Sequence, residues 1–273
     1  MSSRMIWRIT GAAALLSTLL FVTGFVYAMK DILYPAASEL VLPPVEAPAE
    51  NLLTDADKIQ IVVLGDSLTR GTGDQSGQGG YVGRVKEYLE KNTDKPVYVL
   101  NNFSVNGYRT DQLLKDIKER SEVPASIAKA DLVMLTIGGN DIFGLAMGNG
   151  IPTGADGAAE IRPEDIRQRM PEAVSRLREI LDTIAALNSR AAILYIGLYN
   201  PFIDMDTTGE ASLIIDEWNR EAFKVANQYR NMTVVPTHDL FERHALKYLY
   251  SDHFHPNQDG YQRIAERIIQ ALE

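Results

Sequence analysis

Five short apolar runs, Ile59 to Leu64, Val97 to Asn101, Leu132 to Ile137, Ala191 to Ile196 and Met232 to Val235, alternate with amphipathic stretches through the last four-fifths of the chain. Runs this short and this uniformly apolar suit strands buried on both faces, and helical stretches between them supply the cover for a parallel sheet. Between 174 and 187, Val174, Leu177, Leu181, Ile184 and Leu187 recur at three- and four-residue steps, the spacing of one helix face. Tyr261, Ile264, Ala265, Ile268 and Leu272 do the same after Pro256. The pattern predicts one α/β domain over 59–273, a three-layer α/β/α arrangement around a mostly parallel sheet. Its length lies within the usual range for a single core.

Polar residues capable of chemistry gather where those runs end. Ile61-Val62-Val63-Leu64 leads into Gly65-Asp66-Ser67-Leu68, and 185 residues after Ser67 the chain reads Asp252-His253-Phe254-His255-Pro256. A serine hydroxyl is a poor nucleophile until a histidine takes its proton and a carboxylate fixes that histidine's tautomer. Between these segments lie Gly107, in Asn102-Phe103-Ser104-Val105-Asn106-Gly107, and Asn140, in Gly138-Gly139-Asn140-Asp141. Taken singly, each has a plainer reading. Ser67 would serve as a helix N-cap, Gly107 and Asn140 as turn residues, and Asp252, His253 and His255 as zinc ligands.

In this order the four blocks resemble those of the SGNH (GDSL) hydrolase family, of lipase/acylhydrolase type, and the resemblance extends over essentially all of 59–273. It implies a flavodoxin-like sheet and a carboxylic ester hydrolase with Ser67 as nucleophile, His255 as general base and Asp252 as its orienter. It also implies an oxyanion hole formed by the N–H groups of Ser67 and Gly107 and the Asn140 amide, with no metal and no cofactor. Asp66 and Asp141 are expected to hold their loops through hydrogen bonds to neighbouring N–H groups. His238, His244 and His253 match no family role and are expected on the surface or in packing. After Asn140, Phe143, Leu145 and Met147 stand on a glycine-rich stretch, where they would line an acyl pocket or pack under a surface loop.

At the other end, Ile9 to Met29 carries no charge and follows Arg4 and Arg8. As a helix it would span roughly 31 Å, close to the hydrocarbon thickness of a bilayer. The arginines predict an N-inside anchor over 1–30 with everything after it outside the cytoplasm, and the family resemblance implies a membrane-anchored enzyme of bacterial type. Cleavage after Val26-Tyr27-Ala28 as a signal peptide would also place the domain outside. Residues 31–58 hold four prolines and six acidic residues against one basic residue, Lys58, and read as a tether. Cysteine is absent, so the chain forms no disulfide and carries no thiol to accept a lipid. The net charge of −9 disfavours nucleic acid and polyanionic substrates. The expected partners are an ester substrate, which by position near the membrane would be a lipid or lysophospholipid ester or an acetylated carbohydrate, and the membrane itself. A tethered, non-catalytic binding module is the remaining class.

Overall fold

The computed structural model describes residues 2–33, 57–144, 163–204 and 206–273. The chain divides into two units, 1–48 and 49–273. In the first, α1 (Ser3–Leu33) is one helix. Within Ser3–Lys30 an 18-residue stretch has a mean hydropathy of 2.0, and the helix is long and apolar enough to cross a bilayer, as a signal sequence also is. It runs three residues past the expected end of the anchor because Asp31 does not break a helix. The rest of the expected tether up to residue 56 lies outside the described residues.

In the second unit the elements run β1 (Ile59–Gly65), α2 (Ser67–Arg70), α3 (Gly80–Asn92), β2 (Val97–Ser104), α4 (Thr110–Glu119), α5 (Glu122–Ile127), β3 (Leu132–Thr136) and α6 (Gly139–Phe143). They continue as α7 (Pro163–Leu187), β4 (Ala192–Ile196), α8 (Glu210–Ala226), β5 (Met232–Val235), α9 (His238–Phe241), α10 (Ala245–Tyr248) and α11 (Gln258–Leu272). The strands form one parallel sheet in the order β2-β1-β3-β4-β5, the flavodoxin-like order. All five expected runs are strands.

Alternation along the strands divides the core in two. Val62, Leu64, Val133, Leu135, Ile193 and Tyr195 face a cluster shared with residues of α4, α5, α7 and α8. Ile61, Val63, Leu132, Met134, Leu194 and Ile196 face another, shared with α3 and α11. Both layers expected from the sequence are therefore present. β2 departs from the expectation. It continues past Asn101 to Ser104, with Asn101 and Asn102 exposed, because it is an edge strand whose ladder to β1 persists to Gly65↔Ser104. A register shift at Ile61/Val62 accommodates Leu100 as an extra residue.

Two glycines shape the ends of the central strands. Gly65 has φ +121° and an added Cβ would lie 1.8 Å from the carbonyl oxygen of Thr136, so β1 and β3 converge only with glycine there. Gly138 has φ +115° and a Cβ would lie 2.1 Å from the Trp218 ring. That indole is anchored below the loop, donating to the Tyr195 hydroxyl at 2.7 Å, which donates to the Ile137 carbonyl at 2.8 Å. Gly138→Ala combines left-handed backbone with overpacking and should cost roughly 2–4 kcal/mol. Equilibrium unfolding of the purified full chain measures this, and an unchanged midpoint would contradict the contact.

Candidate active site

In an open parallel sheet ligands bind beyond the carboxyl ends of the strands, at the point where strand order reverses. Here that point lies between β1 and β3, with β2 on the far side of β1. Ser67 follows β1, Gly107 follows β2 and Asn140 follows β3. The three strand ends are joined directly. Val105 N–H donates to the Gly65 carbonyl at 2.9 Å, and Asp66 N–H donates to the Thr136 carbonyl at 3.2 Å.

Asp66 caps α2 as expected of a loop-holding residue. Its Oδ1 accepts the Leu68 N–H at 3.0 Å and the Thr136 hydroxyl at 2.6 Å. The Thr69 hydroxyl extends the network, 2.7 Å from both Thr136 Oγ1 and Tyr81 OH. The Asp66 side chain lies under this turn, 1 % exposed. Burial pushes its carboxyl up to about 7, against the opposing pull of the Thr136 and Leu68 bonds.

Ser67, itself buried, places its Oγ 2.7 Å from His255 Nε2. The other ring nitrogen, Nδ1, is 2.7 Å from Asp252 Oδ2. A carboxylate there fixes the proton on Nδ1 and turns the basic lone pair of Nε2 towards the serine. Asp252 Oδ1 in turn accepts the N–H groups of Phe254 and His255, each at 3.0 Å. Partial burial pushes the Asp252 carboxyl up, but the His255 ring and these two N–H groups outweigh it, and it lies below its ordinary value. His253, at φ +55°, makes the turn between Asp252 and His255 and is exposed. The loop is closed by the Leu249↔Pro256 bridge and by Tyr199, whose hydroxyl donates to the Phe254 carbonyl at 2.6 Å.

Both ring nitrogens of His255 are engaged by protein groups here, Nδ1 by Asp252 and Nε2 by Ser67, and His253 takes no part in these bonds. Among the described residues no group of three or more carboxylates and imidazoles is arranged to hold a metal. His238 lies on α9, 4.0 Å from Asp216, and His244 precedes α10; neither takes part in this chain of bonds.

Asn140 stands in α6, and its Nδ2 donates to the Tyr108 carbonyl at 2.9 Å. That bond takes one of the two amide protons and leaves the other available. It also joins Asn140 to the loop carrying Gly107. Gly107 has φ +80° with no atom within 4 Å of an added Cβ, so backbone conformation rather than crowding calls for glycine. Asp141 holds the same loop, its Oδ2 accepting the Thr110 N–H at 2.9 Å. Phe143 is 2 % exposed and packs edge-on against Phe202 at 5.3 Å. Leu145 and Met147 lie outside the described residues.

The sequence reading did not single out Tyr199, Phe202, Thr110 or Arg176. Phe202 bridges Phe143 and Phe254, whose ring lies 5.1 Å from that of His255. Tyr199, Phe202 and Thr110 follow strand ends and Arg176 lies within α7, and no local pattern marks any of them.

The sequence profile of the GDSL-like lipase/acylhydrolase family matches residues 63–263. The chain belongs to this family. As a GDSL hydrolase it is a carboxylic ester hydrolase, with the α/β/α fold of that family. Among relatives, it is 32% identical over 220 residues to the uncharacterized protein YpmR of Bacillus subtilis, covering 80% of this chain and 82% of that one. It is 26% identical over 219 residues to the spore germination lipase LipC of Bacillus licheniformis, covering 77% and 94%. Among solved structures, the lipase Lip_vut3 from a goat rumen metagenome superposes with a TM-score of 0.67 at 24% identity, over 79% of this GDSL chain and all of that one. Axe2, an acetylxylan esterase from Geobacillus stearothermophilus, gives 0.58 at 20%, over 78% and 94%.

The elevated Asp66 carboxyl has a thermodynamic consequence. Stability from its protonated form is fully present below the unfolded value of about 3.9 and is lost as pH rises through about 7. Asp66→Asn retains an oxygen acceptor for Leu68 and Thr136 without the charge. Its unfolding midpoint should therefore gain on wild type between pH 4 and pH 8; parallel curves would show that Asp66 does not titrate in this way.

Proposed function

We propose that the protein is a serine esterase that hydrolyses acyl esters of lipid or lysophospholipid type outside the cytoplasm. The observation that carries the mechanism is the continuous pair of 2.7 Å bonds from Asp252 through His255 to Ser67. Ser67 Oγ bonds to the ester carbonyl carbon while its proton passes to His255 Nε2, and Asp252 stabilises the imidazolium. The oxyanion is met by the N–H groups of Ser67 and Gly107 and by the remaining Asn140 amide proton. Collapse breaks the ester C–O bond, and the departing alkoxide takes the proton from His255. Water then attacks the acyl-enzyme, giving a proton to His255, which returns it to Ser67 as the acid leaves.

Asp252→Asn leaves the ring in place with the wrong tautomer favoured. Turnover should fall by about 10⁴-fold, as in serine proteases. A loss of only tenfold would make Ser67 and His255 a working dyad.

The lipid assignment draws on α1 and on the relative named as a spore germination lipase. We read α1 as a retained single-pass anchor with Arg4 and Arg8 inside, which holds the domain near lipid; secretion after cleavage is the alternative. A second substrate reading, removal of acetyl groups from a carbohydrate, is favoured by the burial of Phe143, which removes one expected wall of an acyl pocket.

One set of measurements tests these points. A fluorophosphonate probe should label wild type in the presence of EDTA and fail on Ser67→Ala. Rates on p-nitrophenyl esters should rise from acetate towards longer chains. Fastest cleavage of acetate would replace the lipid reading with a carbohydrate acetylesterase, and labelling of Ser67→Ala would end the serine mechanism.

A further inference from the structure

The two donors assigned to the oxyanion alongside Ser67 stand on separate segments, Gly107 after β2 and Asn140 in α6 after β3. A hole built this way works only if something sets the distance between the segments, since displacement of about 1 Å from a reacting centre can cost about 100-fold in rate. The direct bond from Asn140 to the Tyr108 carbonyl is one link. The others converge on Thr110, two residues further on.

Thr110 is fully buried and gives both its protons to one carboxylate. Its N–H donates to Asp141 Oδ2 at 2.9 Å and its hydroxyl to Asp141 Oδ1 at 2.6 Å. With that proton committed, the hydroxyl oxygen accepts from a third element: Arg176, on α7, donates Nε–H to Thr110 Oγ1 at 2.9 Å. Arg176 Nη2 also lies 3.5 Å from Asp141 Oδ1, while Nη1 bonds the exposed Glu172 at 2.6 Å. The bonds point one way, from guanidinium to hydroxyl to carboxylate, an arrangement in which each strengthens the next. The Asp141 carboxylate has only 3 % of its side chain exposed. Burial pushes its carboxyl up, and the Thr110 bonds and the Arg176 charge act against that.

We propose that Arg176, acting through Thr110 and Asp141, is a positioning residue that sets the spacing of the Gly107 and Asn140 donors and thereby the rate of acyl transfer. This rests on the serine mechanism proposed above. Arg176 touches no substrate. Its effect is on how well the hole fits the transition state, so it should appear in kcat and not in KM.

The test is a double-mutant cycle on the purified full chain, using p-nitrophenyl acetate, whose acyl group is too small to report on an acyl pocket. Arg176→Met keeps the aliphatic stem and removes the guanidinium. It should lower kcat by about 10- to 100-fold with KM within about twofold, and slow fluorophosphonate labelling in proportion. In an Asn140→Ala background the same change should cost less than about threefold, because the spacing it maintains then serves one donor fewer. Thr110→Val, which removes the hydroxyl and keeps the N–H bond, should make Arg176→Met similarly silent. If Arg176→Met does not fold, Arg176→Lys, which keeps a charge but loses the Nε donor, stands in for it with the same expectations. Losses that multiply in full across the cycle, or a folded Arg176 variant within about threefold of wild type, would overturn the clamp while wild-type labelling at Ser67 still supports the serine reading. Failure of wild type to label at Ser67 would overturn both.

Discussion

Everything at the catalytic end of the domain depends on how closely β1 and β3 approach where they leave the sheet. Gly65 lies so near the Thr136 carbonyl that no side chain fits between them. This contact lets the Thr136 hydroxyl reach the Asp66 carboxyl, and Asp66 in turn caps the short helix that starts at Ser67. The serine is thus fixed by backbone convergence. A buried ionisable group beneath it is costly to charge, and its hydroxyl partners offset part of that cost.

Polar groups are arranged similarly on the neighbouring loop, though by different means. Asn140 and Asp141 are consecutive, yet they grip the β2–α4 loop at two places, one through a carbonyl and one through Thr110. Adjacent side chains on a short helix point in different directions, so the pair braces the loop against rotation as well as translation. Gly138 allows the start of that helix to sit directly on Trp218.

The strands were legible in the sequence because buried parallel strands are continuously apolar, and the five runs needed no help from context. β2 was legible only in part. At a sheet edge, Asn101 and Asn102 satisfy the ladder through their backbones and leave no apolar trace. The residues Ser67, Asp252 and His255 could be read because each is attached to a local block with distinctive chemistry. Tyr199, Phe202 and Arg176 could not, since what gives them meaning is distance in space: a tyrosine after β4 gains its role only when the Phe254 carbonyl lies 2.6 Å away. Phe143 was legible only as an apolar residue beside a polar motif, and its burial against Phe202 depends on a residue far away in sequence.

Asp252 and His255 share a single turn, whereas Ser67 reaches them across nearly the whole domain sequence. Asp252 and His255 are thus held by one local turn, whereas Ser67 is brought to them by the packing of α11 against α3. Buried Tyr81 and Tyr261 lie in that seam, the Tyr261 hydroxyl bonds the Thr72 carbonyl, and Arg84 bonds the Gln258 carbonyl. Opening that seam would part Ser67 from His255 while leaving Asp252 and His255 together on their turn.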